Sequence, residues 1–178
     1  MTDFYLILVV ILGLLAIADL VVGVSNDAVN FLNSAIGSKV VSFKTLMVIA
    51  SLGVAFGAIS SSGMMEVARK GIFNPEMFVF SEIMIIFMAV MITDILLLDV
   101  FNSYGLPTST TVSIVFELLG AAVVISLIKL SALDLSFVEL SDYINTSKAT
   151  QIIFGIFFSV IVALSLIHIS EPTRQDRI

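Results

Sequence analysis

The fold is decided by a stretch near the start of the chain, where residues 4–30 read FYLILVVILGLLAIADLVVGVSNDAVN. Its apolar part, Phe4–Val24, is long enough to span a bilayer, which takes about 20 residues. A polar cluster at residues 23–30, GVSNDAVN, follows directly, and a second cluster at residues 105–111, GLPTSTT, precedes another apolar stretch. Interrupted hydrophobic segments of this kind indicate a substrate site at membrane depth.

The composition is that of an integral, multi-pass membrane protein. The chain is 59% hydrophobic, 12% charged and has a mean hydropathy of +1.16, whereas soluble domains are about 45–50% apolar and about 25% charged. Backbone groups in lipid need internal hydrogen bonds, so we predict an all-α transmembrane bundle of about five segments with broken helices. The predicted segments are Phe4–Val24 with a short polar helix over 26–37, Thr45–Ser62, Phe78–Leu98, Ser109–Leu130, and Thr150 to the C-terminus. A polar loop over residues 131–147 is predicted outside the membrane.

The sequence also excludes several classes of function. There is no cysteine, so disulfides and thiolate metal sites are excluded. No nucleophile–base pair, metal cluster or nucleotide-binding glycine loop is evident. We therefore predict no enzyme activity, no organic cofactor and no nucleic-acid partner.

Acidic residues are unusually frequent within or beside the apolar segments. They are Asp19, Asp27, Glu82, Asp94, Asp99 and Glu117. A carboxylate at the bilayer centre costs about 2.5–3.5 kcal/mol, so these residues predict a protein-lined polar interior or protonated acids. The position of Asp99 is explained equally well by a cation path and by a water-filled vestibule, whereas a structural role is favoured for Asp19 and Glu82.

The first polar cluster has the residue types of an ion site. Gly23 is predicted to break the helix, and Ser25, Asn26 or Asp27 would then cap the helix that follows. A helix N-terminus attracts anions, while the oxygens of Asn26, Asp27 and Asn30 suit a small cation. The alternative is that these residues only cap a helix and hold a bundle together.

The second cluster is predicted to begin a helix, since Pro107 suits the first turn or the position before it. Ser109, Thr110 and Thr111 would then lie at the N-terminus, where hydroxyls and free amides can surround a tetrahedral oxyanion. An ordinary Ser/Thr cap is the alternative. Together, the two clusters favour an ion-coupled anion site in which a cation supplies the missing positive charge.

These clusters carry a resemblance to a known family. Residues 23–30 resemble the Gly-Ala-Asn-Asp-x-Ala-Asn signature of the inorganic phosphate transporter (PiT) family, and residues 105–111 resemble its Pro-x-Ser-Thr-Thr-His signature. The resemblance implies symport of inorganic phosphate with Na⁺ or H⁺ across a membrane by a protein built from two inverted repeats. For this chain we predict the bacterial inner membrane. It assigns phosphate binding to Asn26, Ser109, Thr110 and Thr111, cation binding to Asp27 (as the Na⁺ ligand), Asn30 and Asp99, and a supporting position to Asn102.

The chain departs from this family pattern in three ways. Val112 occupies the place of the usual histidine, the first signature is altered at Val24-Ser25, and only one copy of each signature is present. Residues 1–163 are therefore predicted to be the first repeat, whose partners would be a missing second repeat of the same polypeptide and, as a further possibility, a second copy in a homodimer. Residues 164–174 resemble a translated sequencing adapter, which predicts a non-native tail over 164–178.

Three other functions stay open at this point. They are transport of another oxyanion such as sulfate, a non-transporting membrane scaffold, and a passive channel.

Overall fold

The computed structural model describes residues 2–62, 71–134 and 136–170. Its α-helices are α1 (Thr2–Ser38), α2 (Phe43–Ile59), α3 (Phe80–Tyr104), α4 (Thr110–Ala132), the short α5 (Leu140–Tyr143) and α6 (Thr146–Ser170). Two 3₁₀ turns cover Pro75–Met77 and Phe137–Glu139. Within these ranges there is no β-strand beyond an isolated bridge between Phe73 and Ile144, which confirms the predicted all-α class.

Four of these helices are long and apolar enough to cross a membrane. The candidate spans are Phe4–Ala28, Phe80–Tyr104, Thr110–Ala132 and Thr146–Leu166, and the 17-residue apolar helix α2 is shorter. Large apolar side chains are exposed along these four helices and along α2, as expected where lipid rather than water covers the protein. The chain is an integral membrane protein with about five apolar segments, as predicted.

The predicted break in the first helix is wrong. Helix α1 runs without interruption from Thr2 to Ser38, so Ser25, Asn26 and Asp27 cap nothing. A glycine inside a helix costs only about 1 kcal/mol, and the polar side chains here find partners without disturbing the helix. The Ser25 hydroxyl donates to the Val21 carbonyl at 2.7 Å, and a Cβ at Gly23 would lie 3.6 Å from Thr110 Cγ2. That distance is an ordinary van der Waals contact, so Gly23 lies where α1 packs against α4 and does not break the helix.

The second interruption forms as the sequence predicts. Helix α3 is terminated by Gly105, whose φ of 66° is left-handed and favours glycine. The amide of Leu106 then donates to the Phe101 carbonyl at 2.9 Å. Ser109 is the N-cap of α4 and accepts from the Val112 amide at 3.4 Å, so Pro107 lies just before the helix.

Three helices are aligned so that their polar residues face one another. Helices α1 and α3 are parallel, because the rings of Tyr5 and Phe80 meet edge to face at 5.3 Å near the helix starts while Asn26 contacts Asn102 further along both helices. Helix α4 returns antiparallel to α3, which brings Lys129 to within 3.0 Å of Glu82. This alignment places residues of α1 beside α3 residues that lie about 75 positions further along the chain.

The apolar core lies mainly between α3 and α4 and is closed at one end by the segments before α3 and α6. Its fully buried members include Ile72, Phe73, Ile86, Leu118, Ala122 and Leu130. The region 131–147, predicted as a polar loop, contains α5 and buries Tyr143 and Ile144 in this core. The backbone amide of Asn74 holds this region in place by donating to the Tyr143 carbonyl at 2.8 Å.

Candidate functional site

The two polar clusters meet through the side chain of Asn26, which is 2% exposed. Its Nδ2 donates to Asn102 Oδ1 at 2.8 Å and to the Leu106 carbonyl at 3.4 Å, and its Oδ1 accepts from the Thr108 amide at 2.9 Å. Asn102 Nδ2 in turn donates to the Val22 carbonyl at 3.3 Å. We call this set, Asn26, Asn102, Leu106 and Thr108, the asparagine link.

A second contact joins the two clusters through Asp27 and Thr110. Thr110 Oγ1 donates to Asp27 Oδ2 at 2.8 Å, and both side chains are half-buried. Thr110 is the first residue of α4, so the carboxylate of α1 lies against a helix N-terminus. A negative group at this position is stabilised by the partial positive charge of the helix end.

The remaining predicted site residues are less enclosed. Asn30 Nδ2 donates to the Thr108 carbonyl at 3.4 Å, so it joins the same interruption. Ser109 and Thr111 are exposed at the start of α4, and the Asp99 side chain is exposed on α3. The structure therefore brings Asn26, Asp27, Asn30 and Thr110 together, whereas Asp99 lies apart from their hydrogen bonds.

Two clefts adjoin these contacts. One, of about 100 Å³, is lined by Asn26, Asn102, Gly105, Leu106 and Pro107. The other, of about 170 Å³, is lined by Asp19, Leu20, Gly23, Val24, Asp27, Asp94, Thr110 and Ile114. Hydroxyl, amide and carboxylate groups share these openings, which is chemistry suited to a small hydrated ion.

Sequence reasoning missed the backbone partners in the interruption itself. The Leu106 carbonyl and the Thr108 amide hold Asn26, yet main-chain groups leave no residue-type signal. The left-handed glycine at 105 was the usable signal, because it predicts a turn that frees such groups.

Glu82 has the structural role that its sequence context favoured. Its Oε2 accepts from the Val79 amide at 2.8 Å and from Lys129 Nζ at 3.0 Å. Lys129 also donates to the Met77 carbonyl at 2.8 Å and lies 5.9 Å from the centres of the Phe78 and Tyr143 rings. Glu82 thus caps the start of α3 and binds Lys129 beside the apolar core, away from the polar interruption.

A comparison with protein families decides the assignment. The model of the Phosphate transporter family matches residues 23–169, a range that includes both polar clusters and the helices between them. The chain belongs to the phosphate transporter family.

One relative adds to this assignment. The chain is 27% identical over 168 residues to a protein from Thermococcus kodakarensis named as a candidate phosphate permease, and the match covers 86% of this chain. The same match covers 38% of the relative, so the chain spans less than half of that protein's length. No solved structure matches the chain.

Proposed function

We propose that the chain is the first repeat of a cation-coupled symporter of inorganic phosphate. The observation that supports this most directly is the hydrogen bond of 2.8 Å between Thr110 and Asp27. It joins the anion-type cluster at the start of α4 to the cation-type cluster of α1, although 83 residues separate them in the chain.

Phosphate binds at the N-terminal end of α4 in this proposal. Ser109, Thr110 and Thr111 offer hydroxyls, and the first amides of a helix have no partner within that helix. The exposed Thr111 can turn toward a ligand, and the Ser109 hydroxyl, which accepts from the Val112 amide, keeps its own O–H to donate. Among the lysines that the structure describes, Lys39 and Lys44 lie outside the four spans, Lys129 is held by Glu82, and Lys148 is exposed in the first turn of α6. None of the four forms a hydrogen bond or ion pair with Asp27 or residues 109–111, so a bound cation is the source of balance in this proposal.

A cation at Asp27 supplies that balance and couples the two ions. Asp27 holds the hydroxyl of Thr110, so an ionised carboxylate repels a phosphate approaching the same hydroxyl. At about 4 Å this repulsion is on the order of 4 kcal/mol for unit charges near a protein surface. Na⁺ or H⁺ at Asp27 removes it, with Asn26 and Asn30 beside the cation and Asp99 on its path. Phosphate binding thereby becomes dependent on the cation.

The chain supplies half of the transport machinery in this proposal. Residues 1–163 form one repeat in a bacterial inner membrane, and a second repeat of inverted topology from the same polypeptide completes the site. Movement of one repeat against the other gives alternating access. The helix α6 continues through Ala163 to Ser170, while residues 171–178 of the proposed non-native tail lie outside the described residues.

Uptake of radiolabelled phosphate by a transport-deficient bacterium that expresses the complete reading frame tests this proposal. We expect Asp27→Asn to abolish cation-dependent uptake, because the amide cannot exchange a cation. Asp134→Asn is the matched control, since Asp134 is exposed in a turn with a φ of 53°, which asparagine adopts readily. Normal uptake with an unchanged cation dependence in Asp27→Asn would contradict the role of Asp27.

The same assay separates the rival functions. Equal competition by sulfate would indicate a general oxyanion transporter, and the absence of any flux would indicate a scaffold. Flux that never concentrates phosphate would indicate a channel.

A further inference from the structure

Three acidic side chains from three helices form two pairs that share Asp94, and the asparagine link does not include them. Asp19 on α1 and Glu117 on α4 each lie close enough to Asp94 on α3 for a hydrogen bond between carboxyl groups, if one of them carries a proton. Asp94 is 1% exposed. We call Asp19, Asp94 and Glu117 the acid cluster.

The cluster lacks hydrogen-bond donors. In the part of the chain that the structure describes, Asp19 Oδ1, Asp94 Oδ1 and both carboxyl oxygens of Glu117 are buried without a partner. Buried polar atoms in folded proteins are almost always paired. Four unpaired oxygens in one place therefore indicate a site for a group that donates hydrogen bonds.

Within residues 2–62, 71–134 and 136–170, no side chain supplies a positive charge to the cluster. The titratable groups that face Asp94 are Asp19 and Asp27 from α1 and Glu117 from α4, and all of them are acidic. Lys129, on the same helix as Glu117, is held by Glu82 and the Met77 carbonyl. Burying an unpaired charge costs several kcal/mol, and adjacent carboxylates repel one another. A cation must accompany these groups in the membrane.

The geometry favours a proton over a metal ion. Among the residues described, no three acidic or histidine side chains converge closely enough to hold a metal. The close contacts are instead between pairs of carboxyl groups centred on Asp94. A proton on one member of such a pair converts it into an O–H donor, which supplies the hydrogen bond that its neighbour lacks.

We propose that the acid cluster is a proton-binding site, separate from Asp27, through which phosphate movement is coupled to proton movement. The coupling part of this inference rests on the proposed phosphate transport. The site connects to the Asp27–Thr110 contact because Asp19 and Asp94 line the same cleft of about 170 Å³ as Asp27 and Thr110. A proton on the cluster lowers the negative charge facing a phosphate bound at α4.

Carbodiimide labelling tests proton binding without requiring transport. Dicyclohexylcarbodiimide enters membranes and adds to a protonated carboxyl group, whose O–H proton moves to nitrogen. The resulting O-acylisourea rearranges to a stable N-acylurea, and no group leaves. We expect mass spectrometry of the labelled full-length protein in liposomes to locate adducts on Asp94 or Glu117. Labelling should decrease as the pH is raised, and Asp134, an exposed acid, should stay unlabelled.

Two results would overturn the proton assignment. One is the absence of adducts on the cluster at every pH, in a preparation whose denatured chain is labelled normally. The other is protection of the cluster by Na⁺ at constant pH, which would identify a sodium site instead.

Proteoliposomes containing a pH-sensitive dye test the coupling. Phosphate entry should acidify the interior for the wild-type protein, and Asp94→Asn should lose this acidification while Asp134→Asn retains it. Acidification that is unchanged in Asp94→Asn contradicts the coupling. Labelling as expected in a protein without phosphate flux would retain the proton site and refute the proposed transport, so the two failures are distinguishable.

Discussion

The asparagine link and the acid cluster lie on the same three helices but treat their polar atoms in opposite ways. In the link, Asn26 uses both its amide nitrogen and its oxygen, with partners on α3 and in the interruption before α4. In the cluster, four carboxyl oxygens are buried without a partner among the described residues. The link is complete within the protein, whereas the cluster is completed only by a bound cation.

This difference separates a polar group that builds the fold from one that carries a ligand. An amide is neutral and self-complementary, so two asparagines can join helices in lipid without a charge to balance. A carboxyl group has acceptors and, when ionised, a charge that nothing in its surroundings offsets. Family motifs include both kinds of residue, and only their surroundings distinguish them.

The largest expected effect comes from removing the link. Asn26→Ala leaves the Thr108 amide and Asn102 without their partner, which we expect to lower the free energy of unfolding by about 2–4 kcal/mol. Thermal unfolding in detergent, followed by circular dichroism, measures this. Asn33→Ala is the matched control, because Asn33 is exposed on the same helix, and it should change stability by less than about 0.5 kcal/mol. Equal effects of both substitutions would break the comparison.

A smaller loss of stability is expected from breaking the ion pair between Lys129 and Glu82. Lys129→Met removes the donor to Glu82 and to the Met77 carbonyl, and we expect a loss of about 2 kcal/mol. The same unfolding assay applies, with Lys148→Met as the control since Lys148 is exposed. If Lys129→Met left stability unchanged, the ion pair would not distinguish Glu82 from the unpaired acids.

The smallest effect has the opposite sign. At a pH high enough to prevent carbodiimide labelling, Asp94→Asn keeps the shape of the side chain, removes a charge and adds an N–H donor to the Asp19 or Glu117 carboxylate. We expect a gain in stability of about 1 kcal/mol, while Asp134→Asn should have no effect. A loss of stability in Asp94→Asn would mean that its carboxyl group is already well paired, and the contrast with the link would disappear.

The sequence was sufficient for the fold class and for the second interruption. Apolar length and composition predict spanning helices, and Gly105 followed by Pro107 predicts a helix end and a new start with local chemistry alone. The resemblance to a transporter family was confirmed by the family match over residues 23–169. The ion-binding roles of the motif residues stay predictions.

The wrong prediction has a physical cause. Whether Gly23 breaks a helix depends on whether Ser25, Asn26 and Asp27 need the freed backbone, and their partners lie more than 75 residues away or on the helix itself. A local pattern cannot supply that information. For the same reason, burial of Tyr143 and Ile144 was not predicted, since it depends on contacts with Phe73 and Phe78.

The unbroken course of α1 has a consequence for depth in the membrane. Its 37 residues extend about 55 Å at 1.5 Å per residue, well beyond a hydrocarbon layer of about 30 Å. The apolar span ends at Ala28, so the following ten residues reach about 15 Å further, past the lipid tails unless the helix tilts strongly. Asn26 and Asp27 thus lie at the end of the apolar span, near the boundary of the hydrocarbon region. A hydrated ion arriving from that side would reach Thr110 before it had to shed its water.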